Sequence, residues 1–487
     1  MSRSDQDSFL ASVAPVPLAT VLPLPSRSPF ELFEQLVQDD PCPVLLESGR
    51  GVDGDPRYSI IASNPSRIFR ATGRRLEWCE RDGSTKVRQG DPVMALRDLM
   101  DRMSLSRPLE LPPFFGGAVG FLGYDCVQYF ERLPRRASDD LGLPDIVLGF
   151  YDLVAVIDHQ YERLWVIFAP FKERFLKEPR AVLYEEGLAR LTDLKARLLI
   201  PVRATVSVSP AVAARITPGQ SQGEYVARVR RCLDYIGAGD IYQANLSHRF
   251  EVDVGGRSPR AIYRKLRRIN PSPFAALLEF PDVTLVGCSP ERLVRLRGSD
   301  VDTRPIAGTR PRGANPEEDD RLAQDLLLNE KERAEHLMLV DLERNDLGRV
   351  CAFGSVHVNE FMIVERYSHV SHIVSNIRGR LAPGRNAVDL IEAVFPGGTV
   401  TGVPKVRCME ILDELEPVRR GPYTGSVGYI SANGDLDLSI TIRTLVIKGA
   451  RGYLHVGAGI VADSEPAREY QETLLKAEAL LEALRES

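Results

Sequence analysis

Short apolar runs with many β-branched and aromatic residues recur along this chain, and turn-forming residues separate them. Examples are PVLLES (43–48), RYSIIA (57–62), IVLGFYDLVAVID (146–158) and RLWVIFA (163–169). Runs of this length and composition predict strands. Helices do not alternate regularly with them. The order of elements therefore favours an α+β fold with many antiparallel strands over one built from repeated β-α-β units.

Apolar residues at helical spacing predict the helices. The predicted helices are 92–103, 180–199, 222–238, 259–268, 319–342, 386–394, 404–415 and 466–485. In the second half of the chain, the predicted strands lie near 241–250, 274–280, 283–287, 292–297, 425–431, 437–447 and 452–459. The second half is the better patterned of the two.

Composition shifts divide the chain into four segments. Residues 1–28 are rich in Ser and Pro and predict a loosely ordered lead-in. Residues 29–200 form the first large part, and residues 222–487 form the second. Between them, 201–221 is low in charge and rich in Ala, Val, Ser and Pro, which predicts a connector.

Charge and cysteine content exclude several classes of protein. The net charge is -5 and no long basic run occurs, so we expect no nucleic-acid partner. No apolar stretch reaches the roughly 18 residues of a membrane span, and we see no secretory signal. The seven cysteines are scattered and none forms a C-x-x-C pair. We therefore expect a reduced, cytoplasmic protein without structural zinc or a disulfide framework.

Two acidic pairs are candidates for a metal site. Glu332 and Glu335 are three residues apart on one predicted helix, and Glu469 and Glu472 are three apart on another. This spacing puts both carboxylates of a pair on one helical face. Two such helices facing each other would offer four hard oxygen ligands, which suit Mg²⁺. The alternative is a pair of ordinary solvated faces.

Three further features could bind an anionic substrate. The glycines of GAGIVADS (457–464) allow close backbone approach to a carboxylate, or they form an ordinary turn. Arg443 lies within an apolar run and needs an anionic partner, which is either a protein carboxylate or a substrate. His372 also lies in an apolar run and is either a core residue or a substrate contact.

Two catalytic motifs are absent from the sequence. FPGGTVTGVPK (395–405) has turn glycines before a helix but lacks the G-K-[ST] ending of a phosphate loop, so we do not expect ATP. The sequence also contains no G-x-S-x-G or G-x-C-x-G elbow. We therefore expect no glutaminase activity in this chain.

At these motifs the sequence resembles the chorismate-utilising enzymes, a family that includes anthranilate synthase component I, aminodeoxychorismate synthase component I, and the isochorismate and salicylate synthases. The resemblance extends over nearly the whole chain, and in 29–200 it is to the two aminating members. The matching segments are LLES (45–48), RYS (57–59), PPFFGGAVGFLGYD (112–125), GDIYQANLS (239–247), SPERL (289–293), RPIAGTRPRG (304–313), ERAEHLMLVDLERNDLGRV (332–350), HIVS (372–375), FPGGTVTGVPKVRCMEI (395–411), SITIRTL (439–445) and GAGIVADS…EYQETLLK (457–476).

The resemblance implies large antiparallel β-sheets wrapped by helices, with the active site deep in residues 222–487. It also implies a Mg²⁺ cofactor. Glu335 and Glu472 would bind the ion directly, and Glu332 and Glu469 would act through water. The ion would hold the ring carboxylate of chorismate, with Gly457, Ala458, Gly459 and Lys476 nearby.

The remaining roles implied by the resemblance concern the reacting end of chorismate. Tyr423 and Arg443 would hold the enolpyruvyl carboxylate, while Thr399 and His372 would line the ring. Glu291 would be the general acid that protonates the departing C4 hydroxyl, because hydroxide is a poor leaving group. Gln243 occupies the position at which the water-using members have a lysine base.

A neutral amide at position 243 cannot deprotonate water, so the expected nucleophile is ammonia. Since the chain has no glutaminase elbow, we expect a separate glutaminase subunit of the amidotransferase type to supply it. Isochorismate or salicylate synthesis is the less favoured alternative. A catalytically silent sensor of a chorismate-like ligand or of tryptophan is another. LLES (45–48) resembles the tryptophan-binding element of anthranilate synthases, but it is equally a plain strand end, so feedback control does not follow from it.

The motifs disagree about which carbon is aminated. Q-A-N-L-S at 243–247, P-G-G-T-V-T-G at 396–402 and S-I-T-I-R-T at 439–444 look like aminodeoxychorismate synthases, which serve folate biosynthesis through 4-aminobenzoate. Against them, Ala307 stands where many of those enzymes have a lysine thought to attack C2 covalently. Because three motifs favour C4 amination and only Ala307 opposes it, we favour 4-amino-4-deoxychorismate as the product, with anthranilate as the alternative.

Overall fold

The structure is a computed structural model that describes residues 3–49, 58–108, 110–200, 216–367 and 370–485. It confirms the predicted α+β class with large antiparallel sheets and surrounding helices. No helix in these ranges is long and apolar enough to span a membrane.

The helices of the described ranges are numbered in chain order. They are α1 Arg3–Ala11, α2 Pro29–Val37, α3 Pro92–Met103, α4 Lys172–Lys177, α5 Arg180–Arg197, α6 Gln222–Gly237, α7 Pro259–Ile269, α8 Pro316–Leu328, α9 Glu330–Gly348, α10 Ala387–Val394, α11 Lys405–Leu415 and α12 Pro466–Arg485, with short 3₁₀ helices at Tyr124–Tyr129 and Gly398–Val400.

The strands are numbered in the same way. Those of the first part are β1 Leu18–Pro23, β2 Val44–Glu47, β3 Tyr58–Ala62, β4 Arg67–Thr72, β5 Arg75–Glu80, β6 Thr85–Gln89, β7 Gly117–Leu122, β8 Ile146–Tyr151, β9 Leu153–Asp158 and β10 Arg163–Phe168. Those of the second part are β11 Ile216–Pro218, β12 Gln243–Asp253, β13 Phe274–Phe280, β14 Val283–Ser289, β15 Arg292–Arg297, β16 Asp300–Arg304, β17 Ile306–Pro311, β18 His357–Arg366, β19 Val370–Arg380, β20 Gly402–Val403, β21 Ser426–Ser431, β22 Leu436–Ile440, β23 Thr444–Lys448 and β24 Arg451–Ile460.

These strands form two antiparallel sheets. The first has the order β1-β10-β9-β3-β2-β13-β14-β23-β24-β12-β11, with β20 beside β12. The second has the order β17-β19-β16-β15-β22-β21-β7-β8-β4-β5-β6, with β18 beside β19. In both sheets strands from the two parts of the sequence are neighbours, since β2 pairs with β13 and β7 pairs with β21.

The core explains why several strands are apolar at successive positions. Val44 and Ile60 belong to the apolar cluster between the sheets, whereas the adjacent Leu45 and Ile61 belong to the cluster under helices α2, α5, α7 and α12. A strand with two buried faces needs apolar residues on both. The first sheet is therefore covered by the second sheet on one side and by α2, α5, α7 and α12 on the other. On the second sheet, α9 packs against β19 and α10 packs against β15.

The structure differs from the sequence prediction at three places. Residues 1–28 contain α1 and β1, and β1 pairs with β10, so part of the predicted lead-in is a sheet strand. The predicted helix 319–342 is two helices, because Asn329 ends α8 and caps the N-terminus of α9. The predicted strand 437–447 is broken at Arg443, whose φ is 50°. Most of the predicted connector, 201–215, lies outside the described residues.

Candidate active site

The candidate site is built around the neighbouring strands β12 and β24. Gln243 begins β12, and its Nε2 donates a hydrogen bond to Glu335 Oε1 at 2.7 Å. Gly459 lies on β24 beside this amide, and a Cβ there would come within 2.8 Å of Gln243 Nε2. A side chain at 459 would therefore displace the Gln243 amide from its present position. Gln243 Oε1 is buried and has no hydrogen-bond partner within the described part of the chain.

The four predicted metal-binding glutamates lie in the first two turns of α9 and α12. Burial raises the pKa of Glu335, and the negative charge of Glu332 raises it further, with a smaller contribution from Glu472. Burial also raises the pKa of Glu469, again with a contribution from Glu472. The carboxylates are thus close enough to repel one another. Oxygen donors with this charge suit a hard divalent cation.

Two of these carboxylates are paired with protein cations. Arg310 donates to Glu332 at 3.1 Å, and Lys476 pairs with Glu472 at 2.7 Å. Within the described ranges, no group of three or more His, Cys, Asp or Glu side chains is already gathered as a metal site. The donor type and the charge fit Mg²⁺, although Arg310 and Lys476 each bond to one oxygen of one of these carboxylates. The metal roles stay predictions.

Glu291 lies between β14 and β15 and is only 5% exposed. The backbone N–H of Ile306 donates to its Oε1 at 3.3 Å. Burial raises the pKa of Glu291 to about 7, while Thr399, Ile306 and Arg443 act in the opposite direction. The carboxyl group can therefore hold a proton near neutral pH, as a general acid must.

His372 on β19 is a neutral imidazole. Its Nδ1 lies 3.1 Å from the carbonyl oxygen of Gly308 and 3.0 Å from Thr309 Oγ1. Because a carbonyl can only accept, we assign the ring proton to Nδ1, which leaves Nε2 as an acceptor that no described residue bonds to. Burial lowers the pKa of His372 to about 4, and the charge of Arg443 contributes. His372 therefore offers a lone pair and no charge.

Arg443 lies in the turn between β22 and β23, beside Glu291 and His372. It was predicted inside a strand, but its positive φ turns the chain out of the ladder. Burial lowers the pKa of the guanidinium. Among the described residues, no carboxylate forms a salt bridge with it. A buried cation without a protein counter-anion is suited to bind an anionic ligand.

The predicted carboxylate cradle lies on β24. A Cβ at Gly457 would come within 2.7 Å of Tyr423 Oη, so only glycine allows the tyrosine hydroxyl this close to the backbone. Burial raises the pKa of Tyr423 to about 12, so the hydroxyl stays a neutral donor. Lys476 donates to the carbonyl oxygen of Gly457 at 3.0 Å. Ala458, between the two glycines, is fully buried.

Ala307 lies on β17 opposite Ile373 of β19. The next residue, Gly308, has a φ of 63°, and a Cβ there would come within 2.8 Å of Glu332 Oε2. Strand β17 thus runs between His372 and the acidic helix α9. Its buried alanine methyl group supplies no nucleophile to the site.

Some contacts of the site were not predicted from the sequence. Arg310 lies within the motif RPIAGTRPRG, from which we predict no role for it, yet it pairs with Glu332. Arg420 is 2% exposed and bonds to Glu416, to the carbonyl of Asn245 and to the carbonyl of Val400. It thereby ties β12 to the loop that carries Thr399. The only signal for it was a charged residue close to Tyr423.

Known proteins place this geometry in context. The profile of the family described as chorismate binding enzyme matches residues 23–482. The chain is 43% identical to aminodeoxychorismate synthase component 1 of Bacillus subtilis over 478 residues, which are 96% of this chain and 97% of the relative. It is 46% identical to anthranilate synthase component 1 of Thermus thermophilus over 466 residues, which are 94% and 95% of the two chains.

The fold also matches a solved structure of similar sequence. Anthranilate synthase component I from Streptococcus pneumoniae superposes with a TM-score of 0.78 at 37% identity, covering 87% of this chain and 92% of the other. The family match spans nearly the whole chain, and the predicted site residues lie on β12, β17, β19, β24, α9 and α12 and in the segments that carry Glu291, Thr399, Tyr423 and Arg443. The chain therefore belongs to the chorismate binding enzymes.

Proposed function

We propose that the chain aminates chorismate to 4-amino-4-deoxychorismate, with Mg²⁺ and with ammonia from a separate glutaminase subunit. The observation that carries this proposal is Arg443, a buried guanidinium that has no carboxylate partner among the described residues and lies beside the protonatable Glu291. Chorismate carries two carboxylates and a hydroxyl leaving group, and the site offers a complement to each.

The two carboxylates of chorismate would bind at different parts of the site. Arg443 and the neutral hydroxyl of Tyr423 bind the enolpyruvyl carboxylate. The backbone at Gly457–Gly459 and Lys476 lie where the ring carboxylate binds. In the structure Lys476 pairs with Glu472, and it would be released to contact the substrate if this glutamate held Mg²⁺.

Four glutamates would hold Mg²⁺, with Glu335 and Glu472 as direct ligands and Glu332 and Glu469 acting through water. When bound, the ion supplies positive charge that offsets these carboxylates and attracts the ring carboxylate. Burial raises the pKa of Glu335 most, and the charges of Glu332 and Glu472 raise it further. A bound cation would offset these charges, which supports this assignment.

Glu291 acts as the general acid in this proposal. Its proton passes to the C4 oxygen, so the C4–O bond breaks with water as the leaving group. The N–H of Ile306 orients the carboxyl, and the nearby Thr399 lowers its pKa. His372 faces the same space as a neutral acceptor, and it cannot compete as an acid because its pKa is about 4.

Ammonia is the nucleophile that best fits Gln243. The amide donates to Glu335, and its Oε1, which bonds to none of the described residues, can accept an N–H of ammonia but cannot deprotonate water. As ammonia forms its bond to carbon it loses one proton, so the net reaction consumes chorismate and ammonia and releases water. A glutaminase partner is in line with the name "component 1" of the two relatives.

Anthranilate is the second candidate product. Ala307 favours it, because this residue removes the lysine of the covalent route to C4 amination. The Thermus thermophilus relative, which is named an anthranilate synthase component, is 46% identical to this chain. We favour C4 amination on the motifs at 243–247, 396–402 and 439–444, which resemble aminodeoxychorismate synthases.

Product identification tests the proposal. Chorismate, Mg²⁺ and ammonium are incubated with the chain, and products are identified by mass spectrometry with and without a lyase that forms 4-aminobenzoate. Arg443→Gln should raise KM for chorismate by roughly 10- to 100-fold, because it removes a charge-assisted bond. Arg344→Gln, on an exposed part of α9, is the matched control. Anthranilate with pyruvate would select the second candidate, and intact chorismate would refute an aminating enzyme.

A further inference from the structure

A second buried carboxyl group lies behind Glu291 and has no part in the proposed reaction. Glu343 is on α9, about two turns beyond Glu335, and is 7% exposed. In the described part of the chain it forms no salt bridge. The nearby Lys405 instead donates to Asp346 at 2.5 Å and to the carbonyl of Val394 at 3.1 Å. Glu343 is therefore a buried carboxyl group without a countercharge.

The hydrogen-bond partner of Glu343 is the hydroxyl group of Thr303. This hydroxyl lies within hydrogen-bonding distance of Glu343 Oε2 and 2.8 Å from the carbonyl oxygen of Leu293. A threonine hydroxyl has one hydrogen and cannot donate to both. Both contacts are satisfied if the carboxyl is protonated, because its O–H then donates to Thr303, whose hydroxyl donates to Leu293.

The contact lies where β15 and β16 are not in regular register. Pairing between these strands shifts between Arg292 and Arg295, and Leu293 has no register partner on either neighbouring strand. The Thr303 side chain therefore replaces a ladder bond at this bulge. Glu291 lies two residues before Leu293, and the Ile306 N–H that holds its carboxyl lies three residues after Thr303.

We propose that Glu343 is a positioning residue that acts as a neutral carboxylic acid. Its O–H group donates to Thr303, and this bond fixes β15 against β16 where Glu291 enters the site. The catalytic part of this inference rests on the proposed function, in which Glu291 is the general acid. The protonation of Glu343 does not depend on that function.

The charges around Glu343 support the neutral form. Burial raises its pKa to about 8, and the negative charges of Glu291 and Asp346 act in the same direction. Thr303 and Lys405 lower it, but Lys405 is paired with Asp346. An ionised Glu343 would place a like charge beside Glu291 in the core. A carboxylic acid makes the same bond without that charge.

Three variants and two readouts test the proposal. Glu343→Gln keeps a neutral donor for Thr303, whereas Glu343→Ala removes it, and Asp341→Asn on the exposed face of α9 is the control. At pH 7, Glu343→Gln should change kcat by less than about threefold. Glu343→Ala should lower kcat by roughly 10- to 100-fold, with KM for chorismate nearly unchanged, because the acid is misplaced.

Urea unfolding gives the second readout. The folded-state pKa of Glu343 is raised from 4.5 to about 8, so its stabilising contribution is complete below the lower value and is lost as the pH rises to the upper one. Between pH 5 and pH 8, the unfolding midpoint of the wild type should fall more than that of Glu343→Gln.

The outcomes separate this inference from the proposed function. If the unfolding midpoints of the wild type and Glu343→Gln depend equally on pH, the proposal that Glu343 is a neutral acid is wrong. A Glu343→Gln variant that folds but is as slow as Glu343→Ala would overturn it too, since a charge would then be needed. An unchanged Glu343→Ala would refute positioning. If the wild type does not consume chorismate, the proposed function fails while the unfolding comparison still decides the protonation state.

Discussion

Replacing Glu291 with glutamine removes the proposed acid and keeps its shape. The pKa of Glu291 is raised from 4.5 to about 7, which means that its buried site disfavours the carboxylate by roughly 3 kcal/mol. In the wild type, kcat should stay level below the raised pKa and fall about tenfold per pH unit above it, since only the protonated form is active. Glu291→Gln should lower kcat by roughly 10²- to 10⁴-fold at every pH, because an amide cannot donate this proton.

The assay follows chorismate consumption from pH 5.5 to pH 9 in steps of about half a pH unit. The concentration of free ammonia is held constant so that the ionisation of ammonia does not distort the profile. Chorismate binding to Glu291→Gln, measured by calorimetry, should stay close to wild type. The pH dependence of the free energy of unfolding gives an independent test. The contribution of the neutral acid is complete below about pH 4.5 and is lost as the pH rises to about 7, and Glu291→Gln should remove that loss. A variant that keeps wild-type kcat, or a wild-type profile that stays level to pH 9, would refute the assignment.

Three further predictions concern the metal, the nitrogen source and the covalent route. Glu335→Gln or Glu472→Gln should lower turnover by at least about 100-fold at limiting Mg²⁺ while circular dichroism stays unchanged; full turnover in either variant would remove it from the ligand set. The purified chain should use ammonium but not glutamine, and glutamate release without an added glutaminase subunit would contradict this. Borohydride and chorismate should leave no adduct on the wild-type chain by intact-protein mass spectrometry, because Ala307 has no nucleophile. Ala307→Lys is expected to form such an adduct if the pocket has room, and an adduct on any wild-type lysine would show that the noncovalent route is wrong.

The sequence predicted the elements whose signals are local. Helices 92–103 and 466–485 have the predicted bounds, because proline at the first position and a regular apolar spacing define them. It missed the break at Asn329, because one residue with an extended backbone interrupts an otherwise helical pattern and caps the next helix. It also missed the turn at Arg443, since a positive φ at arginine has no signature in the chain.

In the candidate site, too, the residues themselves were predictable from the sequence but their contacts were not. Residue types at matching motifs predicted the glutamates, Glu291, His372 and Arg443, and the structure brings them together. Their pairing was not predictable, because the bond from Gln243 to Glu335 joins distant elements. The role of Glu343 was hidden as well. Its partner Thr303 faces it only because the register of β15 shifts by a bulge, which a sequence pattern does not reveal.

The mixed order of the two sheets has a consequence for how the chain folds. Leu45 of β2 pairs with Leu277 of β13, and Gly120 of β7 pairs with Gly428 of β21. The edges of β2 and β7 must therefore stay open during synthesis until those partners emerge, and such long-range pairing is slow. Residues 29–200 expressed alone should aggregate through the exposed edges. A chain cut within 201–221 after folding should stay associated, because the two pieces share both sheets.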